Sequence, residues 1–541
     1  MLTTKMTMAE AIRHVGEAQP DQEVLICGST RLTNRQLLAQ IDALAAGLGG
    51  LGLQKGDKVV TLLPPGPEFV YFFFALAARG AVMVPLNPQL RQRGLQDVLD
   101  DAEPVALVTA RPIEDGVLGQ ATGLRHVIKV GAEGGGLALA ALMETGAPAA
   151  PPVTVTPGDL LMLMYTSGTT GRPKATMHTH RSLAAPVVAS LKVRELWSRP
   201  SSVRTAVEVA KALARYGGRL LRSIGRPQTF LSTVGWQTIT GLHVMLQGLL
   251  MGDRLVVMPR FQPQAALELI AQERVTVIVA VPMAYQVMMG LSDLERYDTS
   301  SLLVCGTGAA PCPPSLAQEI RRCFGCAVYI GFGMTESAGG IACGSLADSN
   351  AQQNETVGRP MPGIDVRIVD EQRQDLPPGQ VGELVVRGDG VMQGYYQAPE
   401  LTAEVIDDGW LYTGDLATID EKGYLRIVGR KKDLIIRGGQ NIYPQEIESY
   451  LAGHPSIAEV AVVGVPAAVG GESVWAFIRL AAGAEMTAQE VLAYCREALE
   501  SYKIPSQVRF VSEFPRTDTG KPLKFELRDM ALQDSLKGGP A

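Results

Sequence analysis

Short apolar runs alternate with longer stretches of helical periodicity from Glu23 onward, and this alternation limits the fold more than any other feature. EVLIC is followed by a helical stretch that begins after Thr33, and KVVTLL by another that begins near Phe69. A buried apolar run followed by a helix is the pattern of a βα unit, and such units build a largely parallel sheet with helices on its faces. A second series with the same rhythm runs from DRLVVM to AVYIGFG. We therefore predict an α/β fold with βα-layered subdomains.

The pattern changes to strands and turns beyond about Val357, where Gly and Asp punctuate period-2 alternation. This alternation predicts a small β-rich lobe over about 357–430. Mixed α/β patterning returns after residue 433, and 541 residues exceed what one hydrophobic core can hold. We predict a large N-terminal domain over 1–430, a hinge at 431–432, and a small, mobile α+β C-terminal domain over 433–541.

The composition argues against several classes of protein. The net charge is −6, so the whole chain has no electrostatic attraction to nucleic acid, and we expect no nucleic-acid partner. Seven dispersed cysteines are typical of reduced thiols, and the N-terminus lacks the apolar core of a secretory signal. The most apolar stretch, from Phe69, is interrupted by Arg79 and Gly80, which indicates a buried helix rather than a membrane span. We expect a cytoplasmic protein.

The loop YTSGTTGRPK, residues 165–174, comes directly after the apolar run LLMLM. Backbone amides of a Gly-rich loop at the end of a strand bind phosphate, and the hydroxyls and Lys174 add further donors. The spacing differs from that of a P-loop, and Pro173 precedes the lysine. Taken alone, the loop fits a surface turn as well as a phosphate site.

Five further motifs follow in order: TGAAP (307–311), GFGMTES (331–337), YTGDL (412–416), GRKKDLIIRGGQNIYPQEIE (429–448) and PRTDTGKPLK (515–524). Together with the loop, they resemble the acyl-adenylate-forming superfamily of AMP-dependent synthetases and ligases, and fatty acyl-CoA synthetases in particular. The resemblance covers nearly the whole chain. It implies a two-step reaction in which a carboxylate attacks the α-phosphate of ATP, giving an acyl-adenylate and pyrophosphate, and a thiol then takes the acyl group. Such chemistry depends on positioning and charge compensation.

The resemblance implies three groups of ATP-binding residues. The phosphate group comprises Thr166, Ser167, Gly168, Thr169, Thr170 and Lys174. The adenine group comprises Gly308, Ala309, Ala310, Phe332 and Gly333. Asp415 is implied to accept the ribose hydroxyls, with the basic Arg430 beside it. Phe332 stands where the family usually carries tyrosine, so the aromatic stack is kept and a hydroxyl is lost.

The same resemblance implies the catalytic groups and the cofactors, which are ATP, Mg²⁺ and CoA as co-substrate. Thr335 is implied to contact the α-phosphate, and Glu336 to bind magnesium through oxygen, as a hard cation prefers. Lys521 is implied to bridge the substrate carboxylate and ATP. Rotation about the hinge at Lys432 would present Lys521 first and then GGQN (438–441), where glycines let a pantetheine arm pass or form a simple hairpin turn.

The acyl pocket is implied to be lined by the Trp236 helix and by small residues around it: Trp236, Thr240, Gly306, Gly339 and Gly340. The tract after Glu336 has no charge to pair with a polar substrate, so we expect an apolar carboxylic acid. A medium- or long-chain fatty acid is favoured. An aryl acid remains an alternative, and so does loading of an acyl carrier protein in place of CoA. An inactive binding protein is disfavoured because Lys174, Glu336, Asp415 and Lys521 are intact.

Residues 191–228 carry nine Lys and Arg against two Glu. This pattern fits a solvated amphipathic helix, and it also fits a docking surface for a membrane or an acyl carrier protein. The sequence leaves a monomer and a homo-oligomer equally open.

Overall fold

The structure is a computed structural model that describes residues 2–118, 121, 123–131, 137–144, 153–166, 174–198, 202–223, 225–310, 312–467, 471–516 and 522–537. Its α-helices are α1 (Met8–Ala18), α2 (Asn34–Gly50), α3 (Pro67–Arg79), α4 (Gln92–Ala102), α5 (Asp115–Leu118), α6 (Leu139–Glu144), α7 (His180–Ser198), α8 (Val203–Ser223), α9 (Ile239–Leu250), α10 (Pro263–Glu273), α11 (Pro282–Met289), α12 (Pro314–Phe324), α13 (Asn350–Glu355), α14 (Pro399–Val405), α15 (Pro444–Leu451), α16 (Ala488–Ala498) and α17 (Lys524–Lys537).

The strands before the C-terminal region are β1 (Glu23–Cys27), β2 (Thr30–Thr33), β3 (Lys58–Leu62), β4 (Val82–Pro85), β5 (Ala106–Thr109), β6 (His126–Lys129), β7 (Leu137–Ala138), β8 (Leu160–Thr166), β9 (Lys174–Thr179), β10 (Thr229–Ser232), β11 (Arg254–Val257), β12 (Val277–Ala280), β13 (Val304–Thr307), β14 (Ala327–Ile330), β15 (Phe332–Met334), β16 (Gly339–Cys343), β17 (Arg359–Pro360), β18 (Ile364–Val369), β19 (Gly382–Gly388), β20 (Ile406–Asp407), β21 (Trp410–Ile419) and β22 (Leu425–Arg430). The C-terminal strands are β23 (Ile435–Arg437), β24 (Gln440–Ile442), β25 (Ile457–Pro466), β26 (Glu472–Leu480) and β27 (Gln507–Phe510).

Two seven-stranded sheets form the layered part of the fold within the described residues. One has the order β14-β13-β12-β10-β11-β1-β2 and is parallel except for β2 at its edge. The other has the order β7-β6-β5-β3-β4-β8-β9 and is parallel except for β9. This arrangement confirms the predicted α/β class, because strands buried on both faces read as continuous apolar runs.

Local sequence signals place the helices between these strands. The Thr33 hydroxyl accepts a hydrogen bond from the Gln36 amide and so caps α2, as its position before the helical stretch predicts. The apolar stretch from Phe69 forms α3, which is buried along most of its length and ends where Gly80 adopts φ +66°. Glycine adopts that conformation without steric cost, and the chain turns there into buried β4. No helix in the described ranges is long and apolar enough to cross a membrane.

Antiparallel pairing replaces the βα pattern after β17. Strands β18, β19, β21, β20 and β22 form one sheet that runs from Ile364 to Arg430. A single 3₁₀ turn, Lys431–Asp433, follows β22 and leads to the β23–β24 hairpin. The C-terminal region then adds the sheet β25-β26-β27 with helices α15 to α17.

Candidate active site

Glu336 lies in a tight reversal between β15 and β16. The 3₁₀ turn Thr335–Ser337 joins the two strands, and Ala338 turns the chain with φ +54°. The Ser337 hydroxyl lies within hydrogen-bonding distance of the carbonyls of Met334 and Gly339, at 3.1 and 2.9 Å. These contacts hold the turn rigid and fix the direction in which Glu336 leaves the backbone.

Gly333 is required by the close approach of β15 and β16. A Cβ atom built on Gly333 would lie 1.9 Å from the Gly339 carbonyl oxygen, which no side chain can tolerate. The glycine is therefore needed for backbone packing beneath the turn, and its implied contact with adenine remains a prediction.

Tyr395 connects Glu336 with Lys174, although the three residues are far apart in sequence. The Tyr395 hydroxyl donates to Glu336 Oε1 at 3.0 Å, and Lys174 Nζ lies 5.5 Å from the centre of the Tyr395 ring. Burial, reinforced by the negative charge of Glu336, raises the pKa of Tyr395, so the hydroxyl stays protonated and able to donate. Sequence analysis missed Tyr395, which carries no recognised motif.

Strand β9 brings these residues together. Residues 393–396 run antiparallel to β9: the Met177 amide donates to the Gly394 carbonyl at 2.9 Å, and the Tyr396 amide donates to the Ala175 carbonyl at 2.8 Å. The Met392 amide donates to the Glu336 carbonyl at 2.8 Å. The strand that begins at Lys174 is thus joined, through one extended segment, to the Glu336 turn.

His178 supports the same turn from the buried face of β9. Its Nε2 lies 3.1 Å from Thr176 Oγ1, and its ring also interacts with the backbone of Thr335. Burial lowers the pKa of His178 to about 4, so the imidazole is neutral at physiological pH. The neighbouring His180 has a structural role, as its Nδ1 accepts a hydrogen bond from the Met8 amide at 3.0 Å.

Asp415 and Arg430 face each other across β21 and β22. Arg430 Nε lies 2.9 Å from Asp415 Oδ1, and the Asp415 side chain is only 5% exposed. Beside them, the Gly414 amide and the Lys431 ammonium donate to the two oxygens of Glu383. A buried carboxylate needs a paired cation, and this one is placed to accept hydroxyl groups of a ligand next to Arg430.

Two neighbouring parallel strands end at the residues implied for adenine. TGAAP begins at the end of β13, and Phe332 comes shortly after the end of β14. A Cβ on Gly308 would lie 3.0 Å from the Gly331 carbonyl oxygen, and Ala309 adopts φ +61°. Ligands of open α/β sheets bind outside the carboxyl ends of the strands, which is where this loop lies.

Trp236 lies in the turn before α9, so the expected helical position is wrong. Its side chain is 1% exposed and meets Phe69 edge to face, with ring centroids 5.5 Å apart. The Thr238 side chain caps α9 by accepting from the Gly241 amide, and the helix therefore begins only at Ile239. Thr240 follows, partly exposed, in the first turn. In this conformation the indole is part of the hydrophobic core.

The implied acyl-pocket glycines have different surroundings. Gly306 lies on β13, and its carbonyl accepts a hydrogen bond from the Tyr285 hydroxyl at 2.9 Å. A Cβ on Gly339 would lie 3.2 Å from His243 Nδ1, whereas a Cβ on Gly340 meets no described atom within 4 Å. Burial lowers the pKa of His243 to about 4, so a neutral imidazole lies beside Gly339. No motif marks His243, and sequence analysis missed it.

Five predicted site residues lie outside the described residues: Ser167, Gly168, Thr169, Thr170 and Lys521. In the C-terminal region, Lys432 lies at the surface of the 3₁₀ turn after β22. Gly438 and Gly439 form the turn of the β23–β24 hairpin with φ +57° and +78°. The hairpin explains both glycines locally, and their role in a CoA tunnel stays a prediction.

Comparison with known proteins gives concordant matches over the chain. The model of the AMP-binding enzyme family matches residues 12–396, and that of the AMP-binding enzyme C-terminal domain matches residues 446–521. A feruloyl-CoA synthase of Amycolatopsis is 35% identical over 502 residues, covering 93% of this chain and 94% of that protein. A long-chain-fatty-acid–CoA ligase of Mycobacterium tuberculosis is 33% identical, covering 92% and 93%.

Solved structures agree with these matches. The o-succinylbenzoate CoA synthetase of Bacillus subtilis, determined with its acyl-adenylate intermediate, superposes with a TM-score of 0.80 at 27% identity. The match covers 98% of this chain and 99% of that one.

Proposed function

Because this chain belongs to the AMP-binding enzyme family and is an acid–thiol ligase of the acyl-CoA ligase type, we propose that its substrate is an apolar carboxylic acid, a medium- or long-chain fatty acid first. The acid attacks the α-phosphate of ATP and displaces pyrophosphate, and the thiol of CoA then displaces AMP from the acyl-adenylate. Each step exchanges one leaving group, so a carboxylate is converted into a thioester at the expense of one ATP.

The cluster of Lys174, Tyr395 and Glu336 is the observation that carries this proposal. Lys174 supplies positive charge at the start of β9, and Tyr395 orients the Glu336 carboxylate through a 3.0 Å hydrogen bond. Displacement at phosphorus needs preorganised charge rather than a protein nucleophile, and these residues provide it. Asp415 and Arg430 form a second polar site, which suits the ribose of the same nucleotide.

Glu336 fits the magnesium that the family implies. One of its oxygens accepts from Tyr395, and among the described residues Glu336 Oε2 makes no hydrogen bond, which leaves it available to a hard cation. When bound, magnesium would neutralise charge on the phosphates. Tyr395 would hold the carboxylate in the orientation that the ion requires.

The open space at Gly340 favours an aliphatic acid. Space for a side chain that glycine does not fill, next to the Glu336 turn, leaves room for methylene groups of a substrate. Gly306 and Gly339 also lack side chains, and none of the three contributes charge. Apolar contacts of this kind select by size, at about 1–3 kcal/mol per methylene.

An aryl acid is the second candidate, and His243 is the observation that favours it. A neutral imidazole next to Gly339 offers one nitrogen donor or acceptor and a flat face, which suits a ring with a polar substituent. The similarity to a feruloyl-CoA synthase supports the same candidate.

Pyrophosphate release with a series of acids, from octanoate to palmitate and from benzoate to hydroxycinnamates, tests these assignments, with mass spectrometry of the thioester products. We expect octanoate to palmitate to be preferred, and Gly340→Val to reduce activity on the longest acids about tenfold. A preference for ring acids, lost in His243→Ala and unchanged in Gly340→Val, would establish the aryl candidate instead. Acyl-AMP formation without CoA turnover would identify an enzyme that loads a carrier protein.

A further inference from the structure

Helix α8 covers an edge of the first sheet with one face only. Ala212, Tyr216 and Leu220 pack against Leu303 and Val304, at and just before the start of β13, and against neighbouring residues of one small core. Strand β14 is the edge of that sheet, so α8 shields it from solvent. The opposite face of the helix has no such partner among the described residues.

Large exposed apolar side chains concentrate around this face. Ten such side chains occur in the described part of the chain, and four of them fall between residues 196 and 221: Leu196, Val203, Val207 and Leu221. Val203 is 82% exposed and Val207, one helical turn further, is 46% exposed. Single exposed apolar residues are ordinary, but a concentration on one helix marks an interaction surface.

Only some of the basic residues of segment 191–228 are available to a partner. Arg194 is paired with Asp253, Arg215 donates to the Asp348 carbonyl, and Arg219 donates to carbonyls at the end of α12. These three arginines stabilise the fold. The exposed cations in the described part of the segment are Lys192, Lys211, Arg222 and Arg226.

The exposed cations flank the apolar residues. On α8, Lys211 follows Val207 by four residues, one turn further along the same side, and Arg222 follows Leu221 beyond the kink at Gly217. A helix that shows apolar residues beside cations binds at the interface of an anionic bilayer, where the apolar side chains enter the acyl boundary and the cations meet the headgroups. Glu195 and the half-buried Glu208, which is paired with Arg359, add little opposing charge.

We infer that the exposed face of α8, with the end of α7, docks on an anionic lipid surface. The inference extends the proposed function, since it supplies the enzyme with an acid that partitions into lipid. Its geometry is suitable because Val304, on which α8 packs, and Gly306, in the proposed acyl pocket, lie two residues apart on β13. An acyl carrier protein would need the cations but no continuous apolar strip, so the lipid surface accounts for more of what is exposed.

Co-sedimentation of the full chain with vesicles tests this inference. We expect binding to equimolar phosphatidylglycerol and phosphatidylcholine at low salt, and none to phosphatidylcholine alone. Lys211→Glu with Arg222→Glu should weaken binding about tenfold or more, because each basic residue near an anionic surface contributes substantially. Val203→Ser with Val207→Ser should weaken it while leaving the net charge unchanged.

Two matched controls separate the face from general properties of the chain. Arg91→Glu with Arg93→Glu makes the same change in net charge at exposed positions elsewhere, and Met283→Ser with Val287→Ser removes another exposed apolar pair one turn apart. Both should bind as the unchanged protein does. Equal binding by all four double variants, or no binding to anionic vesicles at all, would overturn the inference.

The remaining readouts keep the outcomes distinct. Unchanged thermal midpoints show that the variants are folded. Variants that bind vesicles normally but transfer acyl groups poorly to a carrier protein would replace the lipid surface with a protein partner. Absence of ligase activity on every acid would refute the proposed function and leave the vesicle result to be judged separately.

Discussion

Tyr395 shows how a single side chain links motifs that the sequence keeps far apart. It donates to Glu336 and lies under the Lys174 ammonium, so it sets the orientation of one group and the local environment of the other. A residue of this kind acts through its neighbours, and its effect should therefore be seen in metal dependence.

Tyr395→Phe is expected to lower kcat/KM by about tenfold to a hundredfold, because it removes the hydrogen bond that orients a carboxylate proposed to hold magnesium. The measurement is pyrophosphate release at varied Mg²⁺ concentration, with a higher Mg²⁺ requirement in the variant. Tyr396→Phe is the matched control, since the neighbouring hydroxyl contacts Lys58 Nζ at 3.1 Å and not Glu336. An unchanged Mg²⁺ requirement in Tyr395→Phe would refute the positioning role.

Gly333 and Gly340 face each other in the β15–β16 pairing but differ in the space around them. Gly333→Ala is expected to destabilise the protein by about 3 kcal/mol, because the new methyl group would overlap the Gly339 carbonyl. Gly340→Ala should leave the denaturant midpoint unchanged. The comparison of the two midpoints is the measurement, and equal midpoints would contradict the close strand approach.

Strand β9 is the element that assembles the site. It begins at Lys174, carries His178 beneath Thr335, and pairs with residues 393–396, which carry Tyr395. A strand at the antiparallel edge of a parallel sheet can accept such an added segment, because its outer hydrogen-bonding groups are unused by the sheet. The site therefore depends on an edge pairing.

The 3₁₀ turn Lys431–Asp433 is the element on which the two-step reaction depends, if the predicted hinge is correct. Lys432→Pro fixes one backbone angle and should hinder rotation of the C-terminal region. We expect acyl-AMP formation to persist and thioester formation from supplied acyl-AMP to fall about tenfold or more. The two steps are assayed separately, and Lys432→Ala, which leaves the backbone free, is the control. Equal rates for the two variants in both steps would exclude a hinge at this residue.

At the scale of the whole molecule, buried histidines couple stability to pH. Burial lowers the pKa of His178 and of His180 to about 4, below the ordinary value of 6.5. The unfolded chain binds protons more readily than the folded one, so stability is fully present above pH 6.5 and is lost as the pH falls toward 4.

Between pH 6.5 and about pH 5, each of these histidines should cost about 2 kcal/mol of unfolding free energy. Denaturant unfolding at stepped pH measures the loss. His180→Gln should reduce the slope in this window without changing it above pH 7. A stability that is constant from pH 7 to 5 would contradict the burial of both imidazoles.

Much of the fold and part of the site could be predicted from the sequence. Thr33 caps its helix, Gly80 ends α3, and Asp415 lies beside Arg430, because each depends on neighbours in sequence or on one short strand connection. Trp236 shows the limit of such reasoning. Whether an indole lines a pocket or fills the core depends on Phe69, which is more than a hundred residues away.

The sequence by itself determined the α/β class, the order of the motifs and the type of reaction, since apolar periodicity and the chemistry of phosphate binding are local properties. Only the tertiary structure decided that Tyr395 meets Glu336, that His243 lies beside Gly339, and that three arginines of the basic segment are used internally. These contacts join residues whose separation in the chain is bridged by strand pairing and helix packing, and local periodicity carries no record of which partners those interactions select.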